Sequence, residues 1–543
     1  MSVARELKKE ASNDTGTGAS TVLKGLISKE LIFGVVGPVG SGTSWVAAAL
    51  SEQLKKGHKD SEVYTIKASE VLEMWALEQG MPIDRSSSLT RATALQDIGD
   101  KIREGDTAGV SVLLMSSIQQ KRDASIALLK DKAGDNKTRI YILDSLKHPA
   151  EVALLRSVYQ EAFCLIGVVC ENDKREARLT DRKCVDSKAD LVRDFVNRDQ
   201  DSGLDHGQKV ADTFHLSDFF VDNTPERFID IDGLKEENPD WDVNEQLGRL
   251  IDILSHQKIV RPSASETGMF HAYGAQMTSS CLSRQVGAAL TDRFGNIVST
   301  GTNEVPNAGG GVYGENDNFP NGFEREDHRC SVSNKYCSSN REQDDIIHDL
   351  INTIPELEKT EFQKLKKQLK STRIGKLLEF SRAVHAEMDA LLSAGRKGHS
   401  TVGGKLYVTT FPCHYCARHI VSAGIDEVQY IEPYPKSLAF KLHGDAIAQT
   451  TQEWIAPSNI IAKLSSITNT NEELAITQIK VLFKPFTGVA PRMYRLAFMK
   501  NRSLKSKTGD MEIGEPDWAS GLLRVSYQEV EKRLITNSKP EQP

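Results

Sequence analysis

The chain has 543 residues, more than one hydrophobic core usually organises, so we expect two to four domains. Hydrophobic residues make up 39% and charged residues 26%, with a formal net charge of −7. This balance is typical of a water-soluble globular protein and argues against a chain built mainly to coat nucleic acid. There is no apolar run long enough for a transmembrane helix, so we expect no membrane contact.

The N-terminal segment, residues 1–23, is polar and lacks the apolar stretch of a secretory signal, so we predict a disordered arm. The chain has eight cysteines. Without a secretory signal, that number indicates a reducing compartment and roles in metal binding or in the core rather than in disulfides.

Residues 24–260 are predicted to form the first domain. Apolar strand patterns at 31–37, 139–144, 164–170 and 219–223 alternate with helical patterns such as 45–55 and 244–255. Strands that alternate with helices predict an α/β domain with a parallel sheet. A short linker near Val260-Arg261-Pro262-Ser263 places the boundary at about residue 260.

The first strand leads into a glycine-rich turn, with Gly37, Gly40, Gly42, Thr43 and Ser44 as candidate nucleotide-binding residues. The spacing is that of the phosphate-binding motif G-x-x-x-x-G-K-[ST], in which backbone N–H groups at a helix N-terminus hold phosphates. Thr43 stands where the motif has lysine. Without that ammonium, the backbone, Ser44 with a metal, or an arginine elsewhere must balance the phosphate charge, and we expect no fast phosphoryl transfer.

The domain resembles the nucleoside- and nucleotide-kinase branch of P-loop proteins. The resemblance rests on Asp144 at a strand end, the following helix with Arg156, and the arginine-rich stretch 175–182, which is similar to a lid helix. It implies a P-loop kinase-like parallel-sheet domain with a degenerate phosphate loop. Three roles remain open: a regulator that binds a nucleotide effector, a scaffold, and a residual catalyst.

Residues 261–450 are predicted to form a second domain, beginning with a helix at 266–280 and two strands at 285–291 and 296–301. A polar insertion at about 305–380 follows, with a charged helix at 356–368, and residues 451–543 form a C-terminal extension with a strand at 479–483. The insertion carries four potential ligands of a second zinc, although their spacing matches no standard finger and simple packing is the alternative: His328, Cys330, Cys337 and His348.

The strongest chemical signal is H-A-E at 385–387 together with P-C-x-x-C at 412–416. We predict a helix at 381–394 with His385 near its start, and Cys413 at the start of the helix after a strand at 405–410. His385, Cys413 and Cys416 would then hold Zn²⁺ and leave its fourth position to water. Glu387 would carry the proton of that water to the substrate, as hydrolytic deamination requires. A structural zinc site or a chance pattern is the alternative.

Residues 265–440 resemble the cytidine and deoxycytidylate deaminases. The segments that carry this resemblance are 284–288, 301–306, 385–388, 412–416 and 420–425. The resemblance implies an α/β/α sandwich with a five-stranded sheet and a contact between Asn303 and the sugar of a nucleotide. Lys436 is the candidate for the phosphate side. Asp389 stands where these deaminases commonly carry Asn, either to orient His385 or as part of a solvated helix face or capping contact.

A P-loop kinase-like domain followed by such a deaminase resembles the bacterial antiviral dCTP deaminases. That resemblance implies deamination of dCTP or dCMP during phage infection, a cytoplasmic location, homo-oligomers and, in some systems, repression by a small RNA. Two other classes stay open: a deaminase of single-stranded DNA or RNA, which would need a basic, aromatic-lined channel, and a nucleotide-sensing regulator that uses the deaminase fold as a scaffold.

Overall fold

The computed structural model describes residues 27–58, 60–128, 137–182, 189–231, 233–314, 326–357, 361–377, 380–434, 437–466, 479–500, 503–512 and 524–537. The predicted N-terminal arm, 1–23, lies outside them. The chain divides into two compact units: residues 1–262 with 487–543, and residues 263–486. The predicted C-terminal extension, 451–543, is therefore divided between the two units. No helix among the described residues is long and apolar enough to span a membrane.

The first unit combines strands with helices on both sides of a sheet. Its strands are β1 Glu30–Val36, β2 Ser61–Lys67, β3 Thr138–Asp144, β4 Phe163–Val169, β5 Phe219–Asp222, β6 Phe228–Ile231 and β7 Leu234–Glu237. Its helices up to residue 262 are α1 Thr43–Gly57, α2 Ala68–Glu78, α3 Ser88–Gly105, α4 Gly109–Ala127, α5 Pro149–Tyr159, α6 Asn172–Arg182, α7 Ala189–Gln200, α8 Val210–Phe214 and α9 Val243–Ser255.

Five parallel strands of this unit lie in the order β5-β4-β1-β3-β2. All residues of β1 and β4 are buried, which is why β4, and β1 after Glu30, read as continuous apolar runs. The sheet separates two apolar clusters, one under α2 to α5 and one under α1 and α9. The prediction of a parallel-rich α/β sheet is confirmed.

The C-terminal segment completes the first unit. A short strand, β14 Gly488–Val489, pairs antiparallel with β5, and two helices follow, α17 Pro491–Phe498 and α18 Arg524–Asn537. In the core, Arg122 of α4 binds Glu30 of β1 and Glu531 of α18, with N–O distances of 2.8 and 2.6 Å. All three side chains are buried.

The second unit contains the remaining elements. Its strands are β8 Gly287–Thr291, β9 Ile297–Thr302, β10 Lys405–Thr410, β11 Glu427–Glu432, β12 Ile447–Ala448 and β13 Val481–Pro485. Its helices are α10 Ala264–Gln276, α11 Ser338–Thr353, α12 Phe362–Ser371, α13 Ala386–Arg396, α14 His414–Ser422, α15 Ala439–His443 and α16 Pro457–Ser466. A capping box of Ser263 and Glu266 starts α10.

The strand order of the second sheet is β12-β13-β11-β10-β8-β9. Pairing is parallel from β12 to β10 and antiparallel from β10 to β9. The prediction of a five-stranded sheet was wrong by one strand. The sixth strand is β12, whose two residues pair with β13 at the edge of the sheet. The cysteines at 413 and 416 lie within the apolar core of this unit.

Two predicted helices begin later than expected. The helix predicted from residue 381 starts at Ala386, because Val384 is held extended by a bridge to Glu304. The charged helix predicted at 356–368 is observed at Phe362–Ser371, and residues 358–360 lie outside the described part. Because α13 begins at Ala386, His385 lies just before the helix and not inside it. The imidazole therefore meets the two cysteines from a helix N-terminus.

Candidate metal centre and active site

Two helix N-termini converge at the predicted metal centre. His385 is the N-cap of α13, with φ −74° and ψ 153°, and Cys413 is the N-cap of α14, with φ −69° and ψ 167°. Pro412 precedes Cys413 after the end of β10, and Cys416 lies one turn into α14. The positive end of a helix dipole stabilises a thiolate at this position.

The structure brings the three predicted ligands together. His385 Nδ1 lies 3.4 Å from Cys413 Sγ and 3.3 Å from Cys416 Sγ. The three ligand atoms lie within 4.8 Å of one another, and both sulfurs are buried. A tetrahedral zinc with ordinary bond lengths separates its nitrogen and sulfur ligands by about 3.5 Å, so the donor set fits this ion.

The two closely spaced thiols shift each other's pKa in opposite directions. A hydrogen bond from Cys416 and one from His385 lower the pKa of Cys413 to about 4 against the effect of burial. The hydrogen bond to the Cys413 thiolate, followed by burial, raises the pKa of Cys416 well above its ordinary value. A cation placed between the sulfurs would favour the thiolate form of both.

Glu387, the predicted proton carrier, follows His385 by two residues and is only 4% exposed. Burial, assisted by the nearby Cys413 thiolate, raises the pKa of its carboxyl group to about 7. A carboxyl group that titrates near neutral pH can both accept and donate a proton, which is what a general acid–base catalyst requires.

Asp389 does not orient the His385 ring in this structure, nor is it solvated. Its side chain is buried, and Oδ2 accepts a hydrogen bond from the Thr302 N–H at 3.1 Å. Burial raises the pKa of the Asp389 carboxyl, while the Thr302 N–H opposes this effect. Both expected roles are thus corrected: Asp389 joins the first turn of α13 to the end of β9.

Asn303, the predicted sugar contact, lies just after β9 and braces a neighbouring loop. Its Nδ2 donates to the Arg284 carbonyl and its Oδ1 accepts from the Val286 N–H, both at 2.6 Å. The sugar contact stays a prediction. The predicted phosphate contact, Lys436, lies outside the described residues.

Glu304 has a role that the sequence reasoning did not assign. Its buried carboxylate accepts hydrogen bonds from Ser280 N at 2.8 Å, Ser280 Oγ at 2.6 Å and Val305 N at 2.9 Å. Its backbone pairs with Val384, the residue before His385. The sequence places Glu304 next to Asn303, in the segment 301–306 that resembles the deaminases. The fold adds that Glu304 anchors the chain just before His385.

The phosphate-loop candidates lie in the first unit, between β1 and α1. Gly37 follows β1, Gly40 and Gly42 both have a φ of +86°, and Thr43 and Ser44 are the first residues of α1. Positive φ favours glycine, which explains why the two positions carry it. Nucleotide binding by this loop stays a prediction.

The four residues of the hypothetical second metal site do not form a cluster, although all four belong to the described part of the chain. Among the described residues, the site of 385, 413 and 416 is the one group of three or more potential ligands that lies close enough for a metal. His348 bonds through Nδ1 to the Asp344 carbonyl and packs against Phe362, and the Sγ atom of Cys337 faces Ser283 Oγ at 3.4 Å.

Residues 262–432 match the model of the cytidine and deoxycytidylate deaminase zinc-binding region. The chain is 32% identical over 171 residues to the deoxycytidylate deaminase of Enterobacteria phage T2, covering 31% of this chain and 78% of that protein. It is 44% identical over 54 residues to ComE operon protein 2 of Bacillus subtilis (strain 168), covering 10% of this chain but only 29% of that protein.

A similar solved structure is the apo dCMP deaminase of cyanophage S-TIM5, with 16% sequence identity, a TM-score of 0.19, and coverage of 41% of this chain and 99% of the other. The sequence match to the T2 protein shows the family. The match to the zinc-binding region and the cluster of His385, Cys413 and Cys416 are consistent with bound Zn²⁺. This chain therefore belongs to the cytidine and deoxycytidylate deaminase family.

Proposed function

We propose that the chain hydrolyses the exocyclic amine at C4 of a deoxycytidine nucleotide, releasing ammonia and the corresponding uracil nucleotide. One observation carries the proposal: Glu387 is buried beside a cluster in which His385 Nδ1 lies within 3.4 Å of both cysteine sulfurs. A purely structural zinc would need a fourth protein ligand, and the family match supports a catalytic role.

His385, Cys413 and Cys416 would hold the zinc, which when bound supplies a Lewis acid that makes water a nucleophile near neutral pH. Glu387 accepts a proton from the attacking water and delivers it to N3 of the base. Glu387 then takes the proton of the hydroxyl group now bound to C4 and passes it to the C4 amine, which leaves as ammonia while the C4 carbonyl forms. The pKa of about 7 that burial gives Glu387 suits both transfers.

The substrate class rests on the phage T2 relative, whose name assigns it deoxycytidylate. We propose dCMP and dCTP as the substrates to compare. The further step, depletion of dCTP as a defence against phage, rests on the resemblance of the two-domain chain to antiviral dCTP deaminases. Measuring the cellular dCTP pool and phage plating with active chain and with Glu387→Gln would test that step.

The direct test incubates the zinc-loaded protein with dCMP, dCTP, CTP, cytidine and a single-stranded deoxycytidine oligonucleotide, and measures uracil products. Turnover of dCMP or dCTP, with slower turnover of the ribonucleotide and the nucleoside, supports the proposal. Turnover of the oligonucleotide alone would make the chain a polynucleotide deaminase. A zinc-loaded protein that deaminates none of these compounds would contradict the proposal and favour a scaffold role.

A further inference from the structure

The turn between β1 and α1 already holds an anion, and that anion belongs to the chain itself. The Asp199 carboxylate, at the end of α7, is only 2% exposed. Its Oδ2 accepts a hydrogen bond from the Val39 N–H at 2.7 Å, and its Oδ1 lies 2.8 Å from Lys147 Nζ. A loop amide and an ammonium group on one anion are the contacts that a phosphate receives in such a turn.

Lys147 supplies the positive charge that the turn itself lacks. Thr43 occupies the lysine position of the motif, but Lys147, three residues after β3, reaches the turn from the neighbouring strand. Besides Asp199, its Nζ contacts the Gly37 carbonyl at 3.4 Å. The ammonium is therefore present at the mouth of the turn, although it comes from elsewhere in the sequence.

Two buried polar groups at the turn have no hydrogen-bond partner among the described residues: Arg175 Nε and Ser41 Oγ. Arg175 is 5% exposed, and its Cγ would lie 2.6 Å from a Cβ built on Gly40, so its side chain lies against the turn. Ser41 Oγ lies 2.5 Å from a Cβ built on Gly37. Buried donors without acceptors are unfavourable, and a bound phosphate would offer them acceptors.

The space beside the turn is large enough for more than a phosphate group. Helix α1 begins at Thr43 with no side chain capping its first turn. A groove of about 540 Å³ starts beside it, lined in part by Ser44, Lys55, Lys67 and Asp144. A nucleoside joined to a phosphate chain fits a groove of this size.

Helix α7 holds Asp199 in place through apolar packing. Phe195, one turn before Asp199, forms a small cluster with Leu89 of α3, and Val39 of the turn packs against this cluster. The same helix therefore packs on the turn and inserts a carboxylate into it. Displacement of Asp199 therefore acts on a helix that packs near the turn.

We propose that the turn at 37–44 binds the phosphate chain of a nucleoside triphosphate, and that Asp199 is a built-in competitor for this site. The incoming phosphate displaces the Asp199 carboxylate from Val39 N–H and Lys147, and it accepts hydrogen bonds from Arg175. Nucleotide affinity is thereby coupled to the position of α7. The proposal does not depend on the deaminase function, because its residues all belong to the first unit.

The test measures dTTP binding to the full zinc-loaded chain by titration calorimetry, since dTTP has no exocyclic amine to lose. Asp199→Asn keeps the shape and an acceptor for Val39 N–H but removes the competing charge, so we expect dTTP to bind at least 10-fold more tightly. Asp194→Asn is the matched control on the exposed face of α7 and should leave the affinity unchanged.

Lys147→Met should weaken dTTP binding at least 10-fold, both alone and combined with Asp199→Asn, with thermal unfolding confirming that each variant is folded. Inorganic phosphate and pyrophosphate are titrated in parallel. Equal affinity for pyrophosphate and dTTP would overturn the nucleotide assignment. Three results would overturn the competitor mechanism. They are a dTTP affinity that Asp199→Asn leaves unchanged, an equal change in Asp194→Asn, and a dTTP affinity that Lys147→Met does not weaken.

Discussion

At the scale of single residues, the site depends on how burial changes the chemistry of Glu387. Solvent would leave this carboxylate ionised at neutral pH, whereas the surroundings of α13 raise its pKa to about 7. Glu387 lies beside the three potential ligands without belonging to their cluster. Its removal should therefore separate proton transfer from metal binding.

We expect Glu387→Gln to lower turnover of the deoxycytidine nucleotide by about 10²- to 10⁴-fold, the usual contribution of a general acid–base group. Zinc content, measured by atomic absorption, should stay at the wild-type level because the ligand cluster is intact. Glu342→Gln, on an exposed position of α11, is the matched control and should change neither quantity. Wild-type turnover by the Glu387→Gln variant would remove Glu387 from the mechanism.

Asp389 offers a second prediction, on stability rather than chemistry. Its carboxylate is the acceptor for the buried Thr302 N–H, and an asparagine side chain can accept the same bond. We expect Asp389→Asn to be nearly neutral, and Asp389→Ala to lower the free energy of unfolding by about 1–3 kcal/mol because the N–H loses its partner. Urea unfolding measures both, and equal effects of the two substitutions would contradict this role.

At the scale of elements, the C-terminal helix α18 is attached through buried charge. Arg122 holds Glu30 and Glu531 at once, and all three side chains are 4% exposed or less. Two tyrosines complete the network: Tyr527 donates to Glu30 and Tyr159 donates to Glu531. Loss of the arginine leaves the buried Glu531 carboxylate without its counter-charge, and leaves Glu30 only the longer contact with Arg139 at 3.9 Å.

We expect Arg122→Met to lower the free energy of unfolding of the first unit by about 3–5 kcal/mol in urea. Arg533→Met is the matched control, since its partner Glu529 lies four residues earlier on α18 and both side chains are more than half exposed. Breaking that pair should cost less than about 1 kcal/mol. A similar loss in both variants would show that the buried network is not what holds α18.

At the scale of the whole molecule, the two units differ in how the chain builds them. The second unit is one continuous segment, 263–486, with its own core. The first needs residues from both ends of the chain, since β14 extends its sheet and α18 joins its buried ion network. Truncation should therefore affect the two units differently.

We expect a fragment of residues 263–486 to fold cooperatively and bind zinc, whereas residues 1–262 alone should be strongly destabilised. Adding residues 487–543 to the 1–262 fragment should restore protection, measured by hydrogen exchange of the amides in β1 and β5. A 1–262 fragment as stable as the first unit of the full chain would contradict the role given to the C-terminal segment.

Zinc removal supplies a further test of the second unit. A ligand that binds only the folded state stabilises it, so chelation should lower the unfolding temperature of the fragment 263–486, and added zinc should restore it. Cys416→Ser should reduce the zinc-dependent stabilisation, with Cys281→Ser as the control, since Cys281 lies outside the ligand cluster. An unfolding temperature independent of zinc in all proteins would contradict this expectation.

Local patterns explain what was predictable. The strand patterns at 31–37, 139–144 and 164–170 predicted buried parallel strands, because a strand covered on both faces is largely apolar. The spacing of Cys413 and Cys416 predicted that both sulfurs face one ion, because they lie about one helical turn apart. The start of α13 was misplaced, because a tertiary bridge between Val384 and Glu304 overrides the helical pattern.

The sequence by itself determined the metal-binding residue types, the alternation of strands and helices and the glycine turn, because all three depend on short-range spacing. Only the tertiary structure decided that Asp389 binds a strand amide, that Asp199 fills the glycine turn, and that residues near position 530 complete a core begun near position 30. These contacts join residues far apart in the chain, and no local pattern records which distant groups meet when the apolar faces pack.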